Sequence, residues 1–139
     1  MSSSRDATTP PSAEGIVTRG SPSSVEETLE RLKTLVRSNG LTVFAQIDHS
    51  DEAARAGLTM QPAHVLIFGS PKAGTPLMVA SPLLALELPL RVLVWQDQAD
   101  HVWVSYTSPE YLAKRFSIPD ALAPNIAGIA ALVDAATAS

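Results

Sequence analysis

Apolar residues recur along the chain with two periods, and the switches between them mark the elements. Val25, Leu29, Leu32 and Val36 fall at i, i+4, i+7 and i+11, one stripe of a helix. Ser23 or Ser24 can cap its start, with Glu26 or Glu27 three residues on completing a capping box. Asn39–Gly40 supplies a left-handed stop. Period two takes over in Leu41–Asp48, with Leu41, Val43, Ala45 and Ile47 on one face and Thr42, Phe44, Gln46 and Asp48 on the other. Ala63–Gly69, Leu90–Gln96 and Val102–Thr107 read as further strands, the last two joined into a hairpin by the polar stretch Asp97–His101. Ser50–Asp51–Glu52 starts a short helix that Gly57 ends, and Ser108–Pro109–Glu110 starts another running to about Phe116. Ser70–Thr75 reads as a turn, with Thr75 capping a helix that opens at Pro76 and continues irregularly over Leu77–Leu86, bounded by Pro82 and Pro89. Leu122, Ile126, Ile129 and Val133 restore helical spacing at the C-terminus, with Pro124 at the start of its main part. The hairpin requires antiparallel pairing and the helices are too dispersed for a βαβ array, so the class is α+β.

The first 24 residues break this pattern, since 13 of them are Ser, Thr or Pro. A segment with so little to bury does not offset the entropy of ordering its backbone, roughly 1–2 kcal/mol per residue. Residues 1–14 are therefore expected to be a disordered tail, Gly15–Arg19 a short edge strand, and 15–139 a single domain. Ten basic and fourteen acidic residues leave a net charge of −4. No three basic residues are adjacent, so no nucleic-acid groove is expected. The chain has no cysteine, which excludes disulfides, thiolate metal sites and cysteine nucleophiles. No apolar run approaches the ~20 residues that span a bilayer, and the N-terminal residues lack the apolar core of a secretory signal. The expectation is a cytoplasmic protein with no membrane partner.

Four stretches carry a resemblance. Thr42–His49 (TVFAQIDH, followed by Ala53 and Gly57), Phe68–Met78 (FGSPKAGTPLM), Leu88–Trp95 (LPLRVLVW) and Val102–Ala113 (VWVSYTSPEYLA) follow one another in the order seen in the family called domain of unknown function 302. The chain resembles that family over about residues 15–135. Ser70 stands where the family pattern usually has Asn, and Glu87 where it usually has Asp. The resemblance implies an antiparallel sheet with helices packed on one face, a β-α-β(4)-α arrangement like that of the TATA-binding protein. It also implies a tendency to form homodimers, and it implies no activity.

The segment Gly69–Thr75 is the most unusual local feature. Two glycines, Gly69 and Gly74, flank Lys72 where a strand passes into a helix at Thr75, so free N–H groups, the helix dipole and the lysine can together attract an anion. The spacing is not that of a P-loop, and the plain alternative is a strand-to-helix turn with Lys72 in solvent. Asp48–His49 is the second candidate, a titratable pair at a strand end whose alternative role is to cap the next helix. His64 reads as a partly buried structural residue and His101 as exposed; no histidine spacing suits a metal, and no cofactor is expected. Trp95, Trp103, Tyr106 and Tyr111 can line a pocket, anchor an interface or pack the core. No nucleophile elbow is present and the carboxylates Glu87, Asp97 and Asp100 are scattered, so no catalytic residue is assigned.

Three readings follow. The first is a homodimeric small-ligand-binding or accessory domain, taking a small anionic or amphipathic ligand at Gly69, Lys72, Gly74 and Thr75 with His49 contributing. The second is a small enzyme using Asp48 and His49 for proton transfer. The third is a structural or protein-interaction module.

Overall fold

In the computed structural model, which describes residues 9–139, one sheet carries the whole architecture. β1 (Ile16–Ser21), β2 (Thr42–Asp48), β3 (Ala63–Gly69), β4 (Leu90–Gln96) and β5 (Val102–Thr107) lie in the order β1-β5-β4-β3-β2, every neighbour antiparallel. The edge strand expected at Gly15–Arg19 is β1, and it pairs with β5 alone. Of the expected N-terminal tail, residues 1–8 lie outside the described residues, and Pro11–Ala13 border the uncovered face of the sheet.

The helices stand on the other face. α1 (Val25–Ser38) has the expected capping box, Ser24 accepting from the Glu27 N–H while Glu27 accepts from the Ser24 N–H. Its stripe of Val25, Leu29, Leu32 and Val36 is buried against Leu66, Phe68, Val92, Val94 and Val104 of the sheet. The C-terminal helix breaks gently at Gly128 into α5 (Pro124–Ala127) and α6 (Ile129–Ala136), and α6 packs beside α1 with Ile129, Leu132 and Val133 in the same core. Thr28 is the one buried polar side chain among the described core residues, and it is fully bonded: its hydroxyl donates to the Ser24 carbonyl at 2.7 Å and shares a 2.7 Å bond with Ser21.

Most of the other helical elements form a separate lobe beyond one end of the sheet. α3 (Pro71–Ala80), the 3-10 turn Pro82–Leu86, α4 (Pro109–Arg115) and α5 meet around Leu77, Leu84, Leu112, Ile118 and Ile126. α2 (His49–Arg55) is short and buries no residue.

Two local expectations need correction. β2 does not alternate as its sequence suggests, because the register shifts between Val43 and Ala45 with Phe44 as the extra residue. Val43 faces the core opposite Phe68, whereas Ala45 and Ile47 oppose Ile67 and Val65 on the uncovered face. The irregular helix expected over Leu77–Leu86 is two elements, α3 ending at Ala80 and a 3-10 turn that Pro82 opens. Removing the α1 cap is expected to be felt globally. Ser24→Ala should lower unfolding free energy by about 1 kcal/mol, read in urea as a lower midpoint at unchanged slope; an unchanged midpoint would show the cap to be idle.

Candidate functional site

The gap between the lobe and the end of the sheet is the candidate site. β3 ends at Gly69, and Ser70 adopts an extended backbone whose hydroxyl accepts from the Ala73 N–H at 3.4 Å. The Ser70 carbonyl accepts from Ala73 and Gly74 at 3.1 and 2.8 Å. Pro71 then takes the first helical position, where its missing N–H costs nothing. The helix therefore begins at Pro71 and not at Pro76, so the stretch read as a turn is the first turn of α3, and Thr75 is an interior residue and not a cap.

Gly74 consequently has a role other than a tight turn. Its backbone is helical, and a Cβ there would sit 3.7 Å from Leu88 Cδ1 and 3.9 Å from Met78 Cε, ordinary contact distances. The glycine leaves space open. A Cβ at Gly69 would likewise meet Pro89 Cβ at 3.6 Å. The opened space is a pocket of about 200 Å³ walled by Phe44, Leu77, Met78, Leu88, Leu90 and Ile126. The bulge in β2 accounts for Phe44, which is 47% exposed and borders this pocket. Ser70, Thr75 and Asn125 supply the polar part of the lining. Asn125 Nδ2 donates to the Ala73 carbonyl at 2.9 Å and ties α5 to α3, while the Thr75 hydroxyl is unpaired among the described residues.

The structure thus places Gly69, Gly74 and Thr75 around one pocket. Lys72 is exposed and does not line it, although it lies three residues before Thr75 and so on the same side of α3. His49 is elsewhere. Thr42 pairs with Gly69 and Asp48 with His64, so His49 stands at the opposite end of β2 and β3, roughly 17 Å away at ~3.3 Å per residue.

Asp48 does not work with His49 either. Its carboxylate accepts from the Ser50 hydroxyl at 2.5 Å and from the Asp51 N–H at 2.9 Å, capping α2. These two bonds hold its carboxyl below the usual range, with a smaller contribution from His64. The histidine that faces Asp48 is His64, 3.7 Å across the strands, whose Nδ1 lies 3.3 Å from Gln46 Nε2. His49 is exposed and bonded to no side chain among the described residues. Of the four aromatic residues, Trp95 and Trp103 stand opposite each other on β4 and β5, and the two tyrosines lie elsewhere. Tyr106 is in the core, where burial pushes its phenol up. Tyr111 packs on Gly15, whose positive φ and lack of a Cβ both matter, since a Cβ would approach the ring to 2.5 Å. Trp95 donates to Ser105 at 3.0 Å and Trp103 to Asp97 at 2.8 Å, and neither reaches the pocket.

The family model for the domain of unknown function DUF302 matches residues 17–136. The chain belongs to this family. A crystal structure of an uncharacterized conserved DUF302 protein from Bacillus stearothermophilus shares the fold with a TM-score of 0.74 at 21% identity, over 90% of this chain and 97% of that one. Among curated relatives, the fluoride-specific ion channels FluC 1 of Brucella suis biovar 1 (strain 1330) and FluC 2 of Brucella melitensis biotype 1 are each 41% identical to this chain over 104 residues. That stretch is 75% of this chain but 41% and 38% of those proteins, so the chain spans about two fifths of their length. Among the described residues, no helix is long and apolar enough to cross a membrane, and no group of three or more acidic or histidine side chains is placed to hold a metal ion.

The hairpin that lies away from the pocket offers a pH test. Asp97 accepts from Trp103 Nε1 and from the Ala99 and His101 N–H groups, and chiefly the tryptophan bond holds its carboxyl below the usual range. A depressed carboxyl contributes stability above its unfolded pKa, about 3.9, and loses it as pH falls through the folded value. Asp97→Asn should therefore unfold in less urea than wild type at pH 7, and the gap should close below about pH 4. A gap of the same size at both pH values would contradict the assignment.

Proposed function

We propose that this chain is a small-ligand-binding accessory domain, and that the pocket between α3, α5 and the β3–β4 end of the sheet holds an amphipathic molecule with a body about one ring in size. The pocket itself carries this reading. An enclosed apolar cavity of ~150 Å³ takes up benzene, and this pocket, open to solvent on one side, offers about 200 Å³. Its apolar walls suit the body of such a molecule, and the Thr75 hydroxyl offers a bond to its polar head. Lys72, on the same side of α3, adds a cation for an anionic head. A bare small anion is less well served, because the Ala73 and Gly74 N–H groups already donate to Ser70, leaving only the Lys72 N–H in this turn.

The accessory role rests on a different observation. In the Brucella channel proteins a domain 41% identical to this one forms part of a polypeptide named for fluoride conduction. The corresponding role for this chain is to act beside a membrane transport protein. The homodimer belongs to the same reading: among the described residues, the sheet face bearing Val65, Ile67, Leu93 and Trp95 has no helix over it, and it is mostly apolar. Proton transfer by Asp48 and His49 finds no geometric support, since the two side chains are not paired.

Benzyl alcohol and benzoate are suitable probes, with the shift in thermal midpoint as the readout. Both should stabilise the wild type, benzoate more strongly, and Lys72→Gln should remove only the benzoate advantage. Gly74→Ala should raise the stability of the empty protein by up to about 1 kcal/mol through helix propensity. Gly74→Leu should abolish both ligand responses. A response to both probes that survives Gly74→Leu unchanged, or none in the wild type, would remove the site.

A further inference from the structure

Three large apolar side chains of the lobe stand exposed among the described residues. Val79 of α3 and Leu83 and Leu86 of the following 3-10 turn are 77%, 70% and 72% exposed. Their neighbours Leu77 and Leu84 are fully buried, so the segment is apolar both inward and outward. From Ala73 through Leu86 it carries no charge, and Lys72, Glu87 and Arg91 bound it. Single exposed apolar residues are ordinary, whereas three within eight residues of one charge-free segment concentrate exposed apolar surface there.

We propose that this segment is a membrane-contact surface that seats Val79 of α3 and Leu83 and Leu86 of the 3-10 turn in the headgroup–acyl boundary of a bilayer. The proposal rests on the accessory reading above, and two observations select a bilayer as the occupant. First, any 104-residue stretch of a 139-residue chain contains residues 36–104, so the part shared with membrane-channel polypeptides necessarily includes this segment. Joined to a membrane protein, even a weakly apolar surface is held at high effective concentration beside the bilayer. Second, the patch has the composition of an interfacial element and not of a polar protein contact. No charge within it has to be desolvated, and the long side chains of Lys72 and Arg91 at its ends can keep their cations among headgroups while the apolar residues enter. The chain's net charge of −4 adds no electrostatic pull toward anionic lipid, so the attraction is apolar and persists with zwitterionic lipid.

The test is co-sedimentation of the full chain with sucrose-loaded phosphatidylcholine vesicles at millimolar lipid, comparing wild type with Val79→Asp/Leu83→Asp/Leu86→Asp. The wild type should sediment with vesicles, and the triple variant should lose at least tenfold in partition at unchanged thermal midpoint and unchanged response to the neutral benzyl alcohol. Leu83→Gln alone, the milder change, should show a smaller loss in the same direction. A wild type that stays in the supernatant, or a triple variant that sediments equally, overturns the proposal. If the triple variant converts a dimer to a monomer and vesicles capture neither form, the patch is covered by a second copy and the proposal falls. Fractionation of native cells separates this failure from that of the accessory reading. Recovery of the chain with membranes and no partition into vesicles leaves the accessory reading standing and the patch proposal overturned; recovery in neither overturns both.

Discussion

Everything in this molecule follows from the sealing of one face of the sheet. Leu66, Val94 and Val104 from three adjacent strands meet Leu32 and Val36 of α1 and Val133 of α6, all essentially inaccessible to water. Such burial contributes roughly 1.5–3 kcal/mol per large side chain, far more than any surface polar contact here. Two helices are enough to cover the middle of a five-stranded sheet of this length. α3, the 3-10 turn, α4 and α5 gather instead into a lobe around Leu77, Leu84 and Ile126. The pocket is the space between these two cores. Its walls come from both, with Phe44 and Leu90 from the strands and Leu77 and Ile126 from the lobe.

The parts of this plan that depend on local chemistry were legible in the sequence. α1 has a periodic stripe and a reciprocal cap, and the β4–β5 hairpin has apolar strands on either side of a polar loop; both formed where expected. The start of α3 was not. Ser70–Pro71 and Thr75–Pro76 are the same signal, a hydroxyl residue followed by proline, and local propensity does not rank them. Ranking them takes the whole fold: beginning at Pro71 carries Leu77 into the lobe core and brings Gly74 beside Leu88. The bulge at Phe44 was hidden for a similar reason, since no glycine or proline marks it and only pairing with β3 reveals the extra residue.

The candidate site was half legible. Gly69, Gly74 and Thr75 do surround one pocket, but the glycines make room there and do not shape a phosphate-type loop. The apolar walls are scattered from Phe44 to Ile126 along the chain, and no spacing rule joins residues brought together across two cores. The pairing of Asp48 with His64 joins residues sixteen positions apart, and nothing in the sequence marks it over the adjacent His49. Membership of the DUF302 family accounts for the architecture, and the Brucella relatives named as fluoride-specific ion channels carry a stretch 41% identical to this chain within longer sequences.

The central claim is that the gap between the two cores is a ligand site. Methyl-detected NMR of the uniformly labelled chain, titrated with benzoate, tests it most directly. The account predicts saturable shifts at Leu77, Met78, Leu88, Leu90 and Ile126, with the methyls of Val65 and Leu93 on the uncovered sheet face unmoved. Shifts centred on Val65 and Leu93, or no saturable shift at all, would contradict it.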